Sequence, residues 1–171
     1  MKKNVFIILL LLFCILSYSQ EEEKENLEVF ATDSTWITEI IKFPIGFAQD
    51  IKYEGFEDLR FPQGWSKQES QNFWSYVWAW SIHNKETFTV SEIEKNIQFY
   101  FDGLLGLDFY KIDGKLQQKT NAVFIEKSTS QFIGKVKTVD TRYTKKPMTL
   151  HVQAESHYCE QTNKAIIVFR F

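Results

Sequence analysis

His151, Gln153, Glu155 and His157 occupy alternate positions of the stretch Leu150 to Tyr158, so a strand there would place two imidazoles and a carboxylate on one face. Such a set could hold a divalent metal, or act on a substrate as acid and base. The spacing argues against a shared ion. Six residues of strand, at roughly 3.3 Å each, separate His151 from His157 by about 20 Å. The pairs that remain are His157 with Glu155, and His151 with a neighbour on an adjacent strand. The polar outer face of a half-buried strand explains the same alternation. His151, Glu155 and His157 are therefore kept as candidate catalytic residues, and no metal or other cofactor is assigned. His83, followed by Asn84-Lys85, reads as a turn residue.

A second group lies in Tyr53 to Trp65, where Glu57, Arg60 and Trp65 combine the ingredients of a polar site with apolar walls. Glu57 and Asp58 are adjacent, so on a strand they point to opposite faces and cannot serve one substrate together. Asp58 and Arg60 share a face and read as an ion pair ordering the turn that follows. Arginine is scarce in this chain, only Arg60, Arg142 and Arg170, and Arg60 near Trp65 could instead grip a ligand carboxylate or sulfate in fork geometry. The third group is aromatic. Trp74, Tyr76, Trp78 and Trp80 share one parity of a strand and could stack sugar rings or wall an apolar cavity, although core packing is the default for rings of this size. The candidate ligand-binding residues are Glu57, Arg60, Trp65, Trp74, Tyr76, Trp78 and Trp80.

The elements that must position these groups follow from periodicity. Trp36 to Phe43 and Phe56 to Phe61 read as strands closed by Pro44 and Pro62. Phe73 to Ile82 fits a helical stripe through 73, 77 and 80, but fits period two better, with large residues on one parity and Ser75, Val77, Ala79 and Ser81 on the other. It is read as a strand, with a short helix before it, or a longer helix that takes it in, possible from the Ser66/Glu69 capping spacing. Thr89 and Glu92 form a second such spacing, and Ile93, Ile97, Phe101, Leu104 and Leu105 recur at helical intervals until Gly106. Ala122 to Lys127, Phe132 to Thr141, Leu150 to Tyr158 and Ala165 to Phe171 read as strands joined by short turns. The expected fold is α+β, a curved antiparallel sheet packed around one main helix.

Composition narrows the function. The 171 residues carry 20 basic and 22 acidic side chains, without the basic surplus that a phosphate backbone needs, so nucleic acid is not an expected partner. A 16% aromatic content excludes a disordered chain. There is no phosphate loop, nucleophile elbow, His-Glu-x-x-His, Cys-x-x-Cys or calcium loop. Lys2 and Lys3, the apolar run Val5 to Leu16 and Ser17-Tyr18-Ser19 compose an export signal over residues 1–19, too short to remain as a transmembrane anchor. Phe13 before Cys14 argues against lipidation. Cleavage leaves one cysteine, Cys159, read as a buried small hydrophobe and unable to form an internal disulfide. Glu21, Glu22, Glu23, Glu25 and Glu28 mark an acidic, flexible leader over residues 20–33, and residues 34–171 form a single domain.

The Ser-Gln junction resembles signal-peptide ends of the Bacteroidota, which implies a periplasmic or secreted Gram-negative protein. The block Phe56 to Trp65, with Tyr100-Phe101-Asp102-Gly103-Leu104, resembles a group of small exported bacterial proteins of unassigned function, and no activity comes with that likeness. The expected function is a non-catalytic binding or accessory domain holding a small apolar or sugar ligand against the aromatic sheet. The alternatives are a small hydrolase or lyase using the histidine and carboxylate pair, and a sheet edge that docks an envelope protein.

Overall fold

Alternation of β-branched and aromatic residues with polar ones drives nine segments of the described chain into strands, and one amphipathic stretch into a helix. The computed structural model describes residues 27–83 and 85–171. The export signal and the first part of the acidic leader lie outside the described residues. In chain order the elements are β1 (Ile37–Lys42), β2 (Gly55–Phe61), β3 (Val77–His83), α1 (Val90–Leu105), β4 (Lys111–Ile112), β5 (Lys115–Leu116), β6 (Asn121–Ser128), β7 (Gln131–Val139), β8 (Pro147–Cys159) and β9 (Lys164–Arg170).

Seven strands form one sheet in the order β1-β2-β3-β9-β8-β7-β6, with every neighbouring pair antiparallel. The fold is α+β. The chain leaves the middle of the sheet after β3 and re-enters at its far edge in β6, so the connection must cross one face of β9, β8 and β7. Helix α1 is that connection. It buries Ile93, Ile97, Tyr100, Phe101 and Leu105 against Trp78, Trp80, Ile167, Phe169, Val136 and Val152 of the sheet.

The capping box is formed as the spacing predicts. Thr89 Oγ1 accepts from the Glu92 amide, and the Glu92 carboxylate accepts from the Thr89 amide at 3.0 Å. Gly106 ends the helix at φ 63°, ψ 35°, a left-handed conformation open to glycine at little cost. Two carboxylates of the helix reach the edge of the sheet: Glu94 accepts from the Phe124 amide of β6 at 2.8 Å, and Asp102 from the Thr120 amide just before β6 at 2.7 Å. On the opposite edge, the outer side of β1 meets no other strand among the described residues.

Two expectations, the start of the aromatic strand and the freedom of the leader, are revised. The aromatic strand begins at Val77 and not at Phe73. Residues 62–75 run through successive turns, with no helix at Ser66, and Trp74 takes φ 57° while its amide donates to the Trp65 carbonyl at 2.8 Å. The hairpin β4–β5 turns at Asp113-Gly114, φ 49° and 76°, the backbone of a tight hairpin turn that Asp-Gly favours. The leader is pinned at its inner end. The amides of Val29 and Phe30 donate to Asp58 Oδ2 at 2.7 and 3.1 Å, because a carboxylate buried in the sheet requires donors that the neighbouring strands do not supply. No helix among the described residues is long and apolar enough to cross a membrane.

Candidate functional site

Strand alternation sorts the residues of β1, β2 and β3 onto two faces. Glu39, Ile41, Glu57, Leu59, Phe61, Trp78 and Trp80 face the helix, and Asp58 and Arg60 face away. Between this part of the sheet, the turns at 62–76 and the C-terminal half of α1 lies a cavity of about 280 Å³. Trp65, Trp74, Tyr76 and Tyr100 supply its aromatic walls, Leu59, Phe61 and Leu104 its aliphatic and remaining ring surface, and Glu39 and Arg142 its charged groups.

The walls are held in place by contacts between distant segments. The Tyr143 ring packs edge-on against Trp65 at 6.0 Å and Trp74 at 5.8 Å. Tyr143 and Arg142 are placed by Asp140, whose carboxylate accepts from the amides of Arg142, Tyr143 and Thr144 at 2.8 to 2.9 Å. Burial pushes the Asp140 carboxyl up, but these donors and the Thr144 hydroxyl outweigh it and hold its pKa below the usual range. Arg142 Nη2 donates to the Leu104 carbonyl at 3.0 Å, a cation set against the negative end of the helix, whose own last turn has no basic residue.

Several polar groups around the cavity are unusual in having no partner. The Trp74 indole N–H and the Tyr76 hydroxyl are buried and unbonded. Glu57 is wholly buried, and neither carboxyl oxygen has a hydrogen-bond partner of ordinary geometry. Burial pushes its pKa up to about 8. The Tyr100 hydroxyl and the Trp80 indole favour the ionised form and relieve part of this rise, while the Glu39 carboxylate adds to it. Glu57 lies just behind the cavity wall, since its cross-strand partner Ile41, its same-face neighbour Leu59 and the facing Tyr100 all line the space.

The candidate ligand residues thus separate. Trp65, Trp74 and Tyr76 meet at the cavity, with Glu57 adjoining it. Trp78 and Trp80 are 0% exposed and belong to the core, where Trp78 packs on Tyr100 at 4.6 Å and on Phe171 at 4.5 Å. They present no platform to solvent. Arg60 faces away from the cavity and is committed elsewhere: its Nη1 pairs with Asp58 and its Nη2 donates to the Phe30 carbonyl at 3.2 Å. It has no guanidinium fork to offer a ligand.

Glu155 and His157 do meet, with Nε2 and Oε1 at 3.1 Å, but on the open sheet face. His151 is exposed opposite Lys135 and apart from them. Among the described residues no three His, Cys, Asp or Glu side chains gather closely enough to hold a metal ion. Cys159 is exposed at the end of β8, which corrects its reading as a buried hydrophobe.

Glu39, Ile41, Phe47, Tyr100, Leu104 and Arg142 are among the cavity residues that sequence reasoning did not single out as ligand contacts. The scarcity of arginine and the Asp140-Thr141-Arg142 turn chemistry were the available signals for Arg142. No protein-family model, no curated protein and no solved structure matches the chain, so geometry alone carries the functional argument.

Proposed function

We propose that the protein is an exported, non-catalytic binding domain that holds a small ring-bearing ligand, apolar or sugar, in the cavity beside Trp65, Trp74 and Tyr76. The carrying observation is the conjunction of that aromatic-walled space with two buried, unbonded polar groups carried by residues that line it, the Trp74 N–H and the Tyr76 hydroxyl. Buried polar groups are ordinarily satisfied, and a ligand supplies the partner that the protein omits. In this reading the sheet curves about α1 to form the floor.

Export rests on the charged start, apolar run and small-residue junction of residues 1–19. The two blocks that carry the likeness to small exported bacterial proteins both contribute walls, Leu59, Phe61 and Trp65 from one, Tyr100 and Leu104 from the other. The histidine and carboxylate pair on β8 lies on the far side of the sheet from this cavity and has no part in it.

The mature chain, residues 20–171, purified from its native envelope and weighed intact under native and denaturing conditions, should show an organic mass excess that denaturation removes. Trp74→Ala should lose that excess while remaining folded. A bare native mass, or an adduct that Trp74→Ala leaves unchanged, overturns the proposal.

A further inference from the structure

We infer that the ligand of this cavity is a cation, a compact amine whose ammonium group pairs with Glu57 while its apolar body packs against the aromatic walls. The inference rests on the binding reading above and names the chemistry of that same site.

Four observations point to positive charge. First, Glu57 is buried, its carboxyl oxygens have no hydrogen-bond partner of ordinary geometry, the Tyr100 hydroxyl and the Trp80 indole being the only polar groups among the described residues acting as donors towards it, and three of its neighbours, Ile41, Leu59 and Tyr100, are cavity walls. Glu57 is not itself a wall residue, so an ammonium group reaches that carboxyl only when a wall side chain such as Tyr100 or Ile41 shifts aside. Second, a further carboxylate, Glu39, lines the cavity. Third, the aromatic faces of Trp65, Trp74, Tyr76 and Tyr100 attract a cation through their ring quadrupoles, the means by which aromatic cages take organic ammonium ions. Fourth, the C-terminal turn of α1 borders the space at Leu104, and a helix C-terminus carries partial negative charge. The one cation present, Arg142, already serves the Leu104 carbonyl. At the ~0.74 packing density of protein interiors, the cavity accepts about ten to fifteen non-hydrogen atoms, the size of a one-ring amine.

Charge balance sets the signature of binding. Without a ligand the carboxyl is protonated at neutral pH, because burial penalises the ion and Glu39 repels it. The groups bearing on it are Glu39 from β1, Trp80 from β3, Tyr100 from α1 and, through its effect on the nearby Tyr76 hydroxyl, Arg142. An ammonium ion that pairs with Glu57 keeps its own charge and drives the carboxyl proton to solvent. Binding an amine at pH 7 therefore releases close to one proton per ligand, and a neutral ligand releases none.

Calorimetric titration of the folded mature chain at pH 7 tests this, using phenethylamine, 2-phenylethanol and 3-phenylpropionate in two buffers of different ionisation heat. Phenethylamine should bind at least tenfold more tightly than 2-phenylethanol and release close to one proton. Glu57→Gln, close in shape to the protonated carboxyl, should lose both the preference and the proton while still binding 2-phenylethanol. Equal binding of amine and alcohol, abolished by Trp74→Ala, would leave the binding cavity standing and overturn its cationic ligand. Tighter binding of 3-phenylpropionate would also overturn it, in favour of Arg142 as the charge partner. No binding of any probe at millimolar concentration would overturn the cationic ligand, and together with a bare native mass it would overturn the binding cavity as well.

Discussion

Glu57 retains its proton where a solvated carboxyl has long since lost it, and this links folding to pH. The folded-state pKa is raised to about 8 from the ordinary 4.5, so between those values the native chain holds a proton that the unfolded chain has released. The stabilisation from this group is fully present below about pH 4.5 and is lost as pH rises through 8. At ~1.4 kcal/mol per unit the loss across the window is on the order of 5 kcal/mol. Asp58, also raised by burial, acts in the same sense. Urea unfolding at pH 5, 7 and 9 should show falling stability, with Glu57→Gln close to wild type at pH 5 and more stable at pH 9. A wild-type midpoint that holds steady from pH 5 to 9 contradicts the assignment. At this scale much was legible, because alternation alone puts Glu57 and Asp58 on opposite faces, and spacing pairs Asp58 with Arg60. Burial was not legible. Nothing local says that Glu57 lies under Tyr100, a residue 43 positions later, or that Trp78 and Trp80 are covered completely.

Helix α1 was the most readable element because its signals are local: a capping box, an apolar stripe and a glycine stop within a single stretch of chain. The start of β3 was not. Residues 73–76 have strand-like alternation, yet the Trp65 carbonyl and the Tyr143 ring draw Trp74 into a turn, and both partners lie outside the aromatic run. One glycine within α1 sets propensity against packing. A Cβ on Gly103 would stand 1.8 Å from the Phe47 carbonyl oxygen, a backbone atom that cannot swing aside. Alanine is the better helix former by about 1 kcal/mol, but forcing backbone apart in a packed core costs about 1–3 kcal/mol. The clash should win, so Gly103→Ala should lower the unfolding free energy by about 1 kcal/mol or more. A variant as stable as wild type would show that the loop carrying Phe47 gives way freely.

Strand order could not be read from the chain, since β3 and β9 meet at the centre of the sheet with 80 residues between their closing pair, His83 and Lys164. Sequence order and spatial order agree only within β1–β2–β3 and within β6 to β9. What joins the N-terminal end to this sheet is the attachment of Val29 and Phe30 to Asp58 and Arg60. Hydrogen bonds to charged groups contribute about 1.5–3 kcal/mol each, and the ion pair is buried, so a chain beginning at Ala31 should lose about 3 kcal/mol or more in urea unfolding. Equal stability of the long and short chains would mean that water replaces the leader at no cost. The carboxylates of Glu94, on the edge of β6, and Asp102, just before it, have a different consequence, for growth. A sheet with two open edges can add copies of itself at both ends, like a bifunctional monomer, and so lengthen without limit. With the Phe124 amide of β6 taken by Glu94 and the outer side of β1 meeting no other strand among the described residues, β1 is the readier edge for sheet pairing, and pairing through it would close a two-fold dimer and terminate there.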